Sequence, residues 1–240
     1  MKPKPILYVV GLSFFLMVGL FWQVGSTGES QKMIPIETIA IVLVASAALA
    51  FAPGPDNIFV LTQSALHGRK AGFVVTIGLC TGLLVHTAAV SLGVAAIFQT
   101  SALAFNILKI VGAMYLLYLA WHAFKAGATK IREPAALAMD FRKLYYRGVI
   151  MNITNPKVAI FFLAFLPQFA DSTIGSITIQ MMVFGGLFII ATLLIFGAIA
   201  WSAGFLGEWL KGSEKTQVIM NRIAGTVFTG LALRLAITEH

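Results

Sequence analysis

Two ionisable residues of opposite charge, Asp56 and Lys157, stand inside strongly apolar stretches of the sequence, and each directly follows a proline. An aspartate in the middle of a membrane span costs on the order of 2.5 to 3.5 kcal/mol to insert. Asp56 therefore predicts a functional site, in which a carboxylate binds a cation or exchanges a proton. The structural alternatives are that Asp56 caps the helix restarted after Pro55, and that Lys157 extends its long stem towards the inner membrane surface.

The prolines beside these charges predict two broken helices. Pro55 and Pro156 lack an amide hydrogen and clash with the carbonyl four residues earlier, so each interrupts its helix. The two segments are FAPGPDNIFV at 51–60 and RGVIMNITNPKVAIFFLAFLPQF at 147–169. Within lipid, the freed backbone groups are tolerated only where they face protein or a watery cavity. We expect a polar site at the breaks that also includes Gly54, Asn57, Asn152 and Asn155.

The composition identifies an integral membrane protein. Of 240 residues, 59% are hydrophobic and 11% are charged, and the mean hydropathy is +0.90, outside the range of soluble domains. A membrane-spanning helix needs roughly 20 apolar residues. The sequence predicts such spans at about 6–24, 36–66, 72–98, 103–124, 145–170, 174–206 and 218–237. The loops between them leave no room for a soluble domain, which excludes the nucleotide-binding domain of a primary pump.

Residues 1–32 form a separate segment, with a basic start, an apolar run and small polar residues. This pattern is typical equally of a cleaved signal peptide and of a retained signal anchor, and a third alternative is that the functional protein starts at Met33. A transporter domain at 33–237 then holds three spans in each half, at about 33–124 and 145–237. Because three is odd, the second half enters the bilayer from the opposite side. We predict an all-α six-helix bundle of two inverted three-helix repeats, whose broken helices meet near the midplane.

The net charge of +8 indicates orientation more than a binding partner. Most lysines and arginines fall in segments that are cytoplasmic if the amino terminus is inside, which is the bias that membrane proteins show. The sequence therefore places the 67–71 and 125–147 loops in the cytoplasm and the carboxyl terminus outside. The basic 125–147 loop is more typical of a topology determinant than of a nucleic-acid site, so we expect no nucleic-acid partner.

Further candidates have ordinary structural alternatives. His86, in the middle of a span, either relays protons or is a packed, hydrogen-bonded helix residue. Tyr115 either lines a pocket or belongs to the packing and the interfacial aromatic belt. Gly78 and Gly82 form a GxxxG pattern, which predicts the close approach of two helices. The sequence contains no HExxH, GxSxG, Walker or CxxC motif, and its single Cys80 excludes a disulfide framework. We expect no metal and no cofactor.

Four stretches together resemble the LysE/RhtB family of bacterial amino-acid exporters, over residues 33–237. They are ALAFAPGPDNIFVLTQSALHGRKAGF at 48–73, LKIVGAMYLLYLAW at 108–121, RGVIMNITNPKVAIFFLAFLPQF at 147–169 and NRIAGTVFTGLALRL at 221–235. The resemblance implies a six-helix carrier of the bacterial inner membrane that exports amino acids or close derivatives, driven by the proton motive force. The family's motif residues correspond here to Gly54, Pro55, Asp56, Asn57, Asn155, Pro156 and Lys157. The first 32 residues depart from the family, whose members usually begin near the position of Met33.

A zwitterionic substrate would suit the predicted site. Lys157 and a helix amino end would bind its carboxylate, and Asp56 with the freed carbonyls would bind its ammonium. Without substrate, Asp56 and Lys157 would neutralise each other. The expected partners are an amino acid, protons and the lipid bilayer, and the sequence is compatible with a homo-oligomer. The alternatives are a polytopic enzyme with Asp56 as acid or base, and a small-cation carrier, for which Lys157 is an unfavourable neighbour.

Overall fold

The computed structural model describes residues 33–237, except residues 53, 101, 127–139 and 213. This part of the chain forms helices and no β-strand. They are α1 (Ile36–Phe51), α2 (Pro55–His67), α3 (Arg69–Thr100), α4 (Ala102–Lys125), α5 (Phe141–Ile153), α6 (Pro156–Ile160), α7 (Ile177–Gly212) and α8 (Glu214–Ile237). A π-helical turn, Phe161–Phe165, and a 3-10 turn, Leu166–Phe169, continue α6. The predicted amino-terminal segment at 1–32 lies outside the described residues.

Two helices are each long and apolar enough to cross a membrane, over Arg69–Gly93 in α3 and Ile177–Ser202 in α7. Two more spans result if each bent helix pair is one span, namely α1 with α2, and α5 with Pro156–Phe169. The second pair bends by 48° at its break. An all-helical membrane protein is thus confirmed, with up to four spans by length and composition in the described residues. The six-helix count of the transporter domain stays a prediction.

The prolines interrupt the helices where the sequence predicted. The first broken helix ends at Phe51 and restarts at Pro55, and the second ends at Ile153 and restarts at Pro156. Both prolines occupy the first turn of the restarted helix, where the missing amide hydrogen has no partner to lose. Each break therefore frees carbonyls of the preceding helix without weakening the one that follows.

The long helices α3 and α7 pack against each other in opposite directions. Gly72 of α3 contacts Ala200 of α7, whereas Thr87, further along α3, contacts Gly185, earlier in α7. Each broken helix packs on the long helix of the other half, α1 and α2 on α7 and α5 on α3, and α4 packs on α8. The two breaks are thereby brought to the middle of the molecule.

The GxxxG pattern places the second break against α3. Gly78 meets the Tyr145 carbonyl and the Cα of Gly148, so that a side chain there would strike backbone atoms. A Cβ on Gly82 would lie 2.7 Å from the Cβ of Asn152. The predicted close helix approach is confirmed, and its consequence is a fixed position for Asn152 at the end of α5.

Candidate functional site

Three carbonyls at the carboxyl end of α1 receive side-chain donors. The Nζ atom of Lys157 donates to the Leu49 carbonyl at 3.0 Å and to the Ala52 carbonyl at 3.2 Å. The Nδ2 atom of Asn57 donates to the Ala50 carbonyl at 2.8 Å. A cation at the carboxyl end of a helix is also favoured by the helix dipole. Lys157 therefore caps the first break from a position just after the second one.

Gly54 lies beside this contact. A Cβ at this position would lie 3.4 Å from Nζ of Lys157, an ordinary van der Waals distance. Gly54 has extended backbone, with φ −165°, and occupies the N-cap position of α2 without contributing a side-chain cap. Neither the approach of the ammonium nor the backbone conformation therefore requires a glycine here.

Asp56 is directed towards the second break and not towards its own helix. It is 4% exposed, and its Oδ2 atom accepts a hydrogen bond of 2.8 Å from Nδ2 of Asn155. Its Oδ1 atom is buried and has no hydrogen-bond partner. The structural alternative, in which Asp56 caps α2, does not hold, because one carboxylate oxygen bonds across the break and the other bonds nothing.

Asp56 and Lys157 line the same cavity, but the described residues show no hydrogen bond or ion pair between them. The ammonium is held by carbonyls and the carboxylate by an amide, so the two charges act on each other across the cavity without direct contact. The freed carbonyls were also expected to bind a substrate ammonium. Those of Leu49, Ala50 and Ala52 do not offer such a site, because they already accept hydrogen bonds from protein donors.

The second break is held by Asn155 and His86. Oδ1 of Asn155 accepts the backbone N–H of Lys157 at 3.0 Å and so caps α6. The Asn152 carbonyl accepts the backbone N–H of Asn155 at 3.0 Å. Nε2 of His86 lies 3.2 Å from the same carbonyl, and because a carbonyl only accepts, this ring nitrogen carries the proton. His86 also packs on Phe162, with 5.5 Å between ring centroids.

A small cavity lies between the two breaks. Its polar lining comes from Asp56, Asn152, Lys157 and Thr192, and its apolar walls include Leu49, Val158, Phe188 and Phe196. The cavity has room for about one water molecule, far less than an amino acid needs. Three buried side-chain oxygens of lining residues lack a hydrogen-bond partner: Oδ1 of Asp56, Oδ1 of Asn152 and Oγ1 of Thr192. Unbonded polar atoms are rare in protein interiors and call for an explanation.

Three of the predicted residues, Asp56, Asn152 and Lys157, line the cavity, and Asn57, Asn155 and His86 form hydrogen bonds at the two breaks. Tyr115 is different: it lies on α4, stacks on Tyr118 with 5.7 Å between centroids, and does not belong to the cavity lining. Thr192 was missed by sequence reasoning. A threonine in an apolar span gives no signal by itself, because its hydroxyl ordinarily bonds the backbone of its own helix.

The model of the LysE type translocator family matches residues 47–239. The chain belongs to this family. The translocator is 29% identical over 195 residues to the leucine efflux protein of Salmonella typhimurium strain LT2, covering 81% of this chain and 92% of that protein. It is 30% identical over 198 residues to the homoserine/homoserine lactone efflux protein of the same strain, covering 82% of this chain and 95% of that protein. No solved structure matches the chain.

Family membership decides between a transporter and an enzyme, two alternatives that the sequence left open. The chain is a multi-pass membrane transporter and not an enzyme, so the interpretation of Asp56 as the acid or base of a polytopic enzyme is wrong. The resemblance to amino-acid exporters, drawn from the two proline breaks and their neighbouring motifs, is confirmed.

Proposed function

We propose that this translocator exports neutral amino acids or close derivatives from the cytoplasm across the bacterial inner membrane, driven by the proton motive force. The observation that carries the proposal is a buried cavity, between two helix breaks, that one carboxylate and one ammonium line together. The names of the relatives, a leucine efflux protein and a homoserine/homoserine lactone efflux protein, agree with substrates of this class.

The charges of the cavity favour a zwitterion. Oδ1 of Asp56 has no partner and is free to accept a substrate ammonium. Lys157 is bonded to two carbonyls, and it would exchange one of them for a substrate carboxylate. A small metal cation would have the Lys157 ammonium beside it, and a cationic side chain would find no second acid among the lining residues. The remaining walls are aliphatic and aromatic, which suits an uncharged side chain.

The packing supports two inverted repeats that move against each other. The equivalent helices α3 and α7 run in opposite directions, and each broken helix rests on the long helix of the other half. This is the arrangement expected when two repeats enter the bilayer from opposite sides. Because the cavity admits about one water molecule, substrate binding requires the two halves to separate on one side at a time. The distribution of basic residues supports the cytoplasmic placement of the loop between α2 and α3.

Proton coupling follows from competition for Asp56. A carboxylate that binds the substrate ammonium loses this partner when it takes up a proton, so the proton and the substrate exclude each other. Protonation from the outer side would release the substrate outwards, and loss of the proton to the cytoplasm would restore the binding site. The result is an exchange of one ligand for the other: protons move inwards as substrate moves outwards, so that the proton gradient drives export.

The test is uphill transport by the purified full-length protein in proteoliposomes. Vesicles with an acidic lumen are supplied externally with a mixture of amino acids and with metal cations as comparison solutes. We expect molecules inserted with their cytoplasmic face outwards to concentrate one or more neutral amino acids in the lumen, and a protonophore to abolish this. Accumulation that survives the protonophore would contradict proton coupling. Flux of a metal cation with no amino-acid flux would overturn the substrate class.

A further inference from the structure

Thr192 differs from most hydroxyl residues of the described helices in its hydrogen bonding. In the usual arrangement the hydroxyl donates to the carbonyl four residues earlier in the same helix, as it does for Ser46, Ser64, Thr76, Thr81, Thr87, Thr226 and Thr229. Thr192 is 2% exposed and its hydroxyl bonds nothing. Ser91 is also buried and unbonded, but it does not line the cavity. Thr192 therefore combines an available hydroxyl with a position at the candidate site.

The surroundings of Thr192 leave few candidates for its partner. Phe188 and Phe196 lie four residues before and after it, so all three stand on one face of α7, and all three line the cavity. The aromatic rings offer no conventional hydrogen-bond acceptor. The other polar lining atoms without partners are Oδ1 of Asp56 and Oδ1 of Asn152. Both are acceptors, supplied by α2 and α5 respectively.

From these three oxygens we infer a subsite for a primary ammonium group. A primary ammonium has three N–H donors, and the residues that line the cavity carry three buried oxygens without a hydrogen-bond partner, one of them on a carboxylate. The inference deepens the proposed function and rests on it, since it names the part of the substrate that Asp56, Asn152 and Thr192 recognise. The carbonyls freed at the first break do not serve this role, because Lys157 and Asn57 already bond them.

The subsite predicts discrimination at the nitrogen of the substrate. An N-methyl amino acid has one N–H fewer, so one of the three oxygens stays unbonded when it occupies the cavity. An unpaired buried polar group is disfavoured, which gives the primary amine the advantage. Removing the Thr192 hydroxyl leaves the Asp56 carboxylate intact. A substitution of Thr192 therefore tests recognition of the substrate N–H groups separately from recognition of its charge.

The experiment measures uptake of leucine and of homoserine, each beside its N-methyl derivative, into proteoliposomes with an acidic lumen. The full-length wild type is compared with Thr192→Val, Thr192→Ser and the control Thr87→Val, in which the lost hydroxyl had bonded its own helix. We expect Thr192→Val to reduce uptake of the primary amines about tenfold, the equivalent of one hydrogen bond. Uptake of the N-methyl derivatives should change little, so that the preference for the primary amine over its N-methyl derivative becomes smaller. Thr192→Ser and Thr87→Val should keep the wild-type preference.

Each outcome is distinguishable from failure of the proposed function. If the wild type moves no amino acid, the proposed function itself is overturned and the inference with it. If the wild type transports and Thr192→Val keeps its preference, the subsite is overturned. Equal losses for primary and N-methyl substrates in Thr192→Val would assign Thr192 a packing role, which also overturns it. Should Thr192→Val fail to elute as a folded protein, Thr192→Ala is measured instead and judged by the same preference.

Discussion

The two helix breaks differ in where their hydrogen-bond partners come from. At the first break, the carbonyls of Leu49 and Ala52 depend on the ammonium of Lys157, which belongs to the other half of the molecule. The restarted helix has Gly54 at its N-cap position, which supplies no side-chain cap. Asn57 of the same half bonds the Ala50 carbonyl, but the carbonyls of Leu49 and Ala52 keep their donor only while the two halves are docked.

The second break is closed largely by its own residues. The Thr154 hydroxyl donates to the Ile150 carbonyl at 2.8 Å, and Oδ1 of Asn155 caps α6 through the backbone N–H of Lys157. The backbone N–H of Asn155 donates to the Asn152 carbonyl. From the other half, His86 donates to a carbonyl that already has a partner, and Oδ2 of Asp56 accepts from Nδ2 of Asn155. The second break should keep its shape when the halves move apart.

This difference assigns unequal roles to two positions that correspond in the proposed repeats. The second break is a preformed element that presents Asn155 and Lys157, and the first break is an adaptable one whose carbonyls are exposed when Lys157 leaves. Movement of the halves would thus be linked to the state of the first break. Substitutions that remove the partner of the first break should have larger effects than those at the second.

The largest effect is expected for Lys157→Met. The change leaves the Leu49 and Ala52 carbonyls without donors, and each buried unsatisfied group costs about 1–3 kcal/mol. It also removes the cation proposed to bind the substrate carboxylate. We expect a membrane-inserted protein with a lowered melting temperature and with transport reduced by about a hundredfold or more, as two lost interactions of this size imply. Both are measured on detergent-purified and reconstituted protein.

Lys157→Arg sharpens this prediction, because it keeps the charge and changes the shape. A guanidinium is larger than an ammonium and planar, so it does not reproduce the two hydrogen bonds of Nζ to the Leu49 and Ala52 carbonyls. We expect Lys157→Arg to be impaired in transport as well. Lys143→Met, an exposed lysine on the same broken helix, is the control and should behave as the wild type. Wild-type transport by Lys157→Arg would show that the carboxyl end of α1 needs a cation there but not specifically the ammonium of a lysine.

Asp56→Asn should have a more selective effect. The asparagine Oδ1 can still accept the hydrogen bond from Asn155, so both breaks should stay closed and the melting temperature should change little. The side chain no longer gains or loses a charge. We expect uphill accumulation in a pH gradient to disappear, with downhill exchange of substrate partly retained. The measurement is uptake with and without the gradient, in the same proteoliposomes.

The control for Asp56→Asn is Glu37→Gln, which removes an exposed acid from the first turn of α1. Its uphill transport should equal that of the wild type. Undiminished uphill transport by Asp56→Asn would exclude Asp56 as the coupling residue. Loss of folding in Asp56→Asn, restored by adding Lys157→Met, would instead indicate that the two charges act chiefly as a structural pair.

The locations of the breaks and the close helix contact were predictable because they depend on local chemistry. Proline lacks an amide hydrogen wherever it stands, so Pro55 and Pro156 interrupt their helices in any context. Gly78 and Gly82 permit close packing for a similarly local reason. In each case the residue type alone carries the physical cause.

The partners at the site were not predictable, because they depend on how distant segments dock. The sequence paired Asp56 with Lys157 by charge, but it could not indicate that carbonyls of α1 would hold the ammonium instead. Nor did it predict the π-helical turn Phe161–Phe165, in which Phe161 packs on Phe165 and on Phe188 of α7. The unbonded hydroxyl of Thr192 is visible only when the neighbours of α7 are in place.

The smallest effect is expected at His86, a residue of the first half that bonds the backbone of the second break. The Asn152 carbonyl that accepts from Nε2 also accepts the backbone N–H of Asn155, so losing the histidine leaves no carbonyl unbonded. The energetic loss is then that of one ordinary hydrogen bond, about 0.5–1.5 kcal/mol. His86→Leu should lower the melting temperature slightly, and His86→Gln, which keeps an N–H donor, should lower it less.

Transport separates this structural role from proton relay. If His86 only supports the Asn152 carbonyl, His86→Gln should accumulate substrate in a pH gradient within about threefold of the wild-type rate, a difference smaller than one hydrogen bond. The control His122→Gln changes an exposed histidine on α4 whose ring lies tilted against that of Tyr118, away from both breaks. A proton relay through His86 would give the opposite result, since glutamine does not titrate: accumulation would be lost in His86→Gln although the protein stayed folded. That loss would identify His86 on α3, and not Asp56 at the first break, as the proton-coupling residue. The two breaks would then differ in their proton chemistry as well as in their hydrogen bonds.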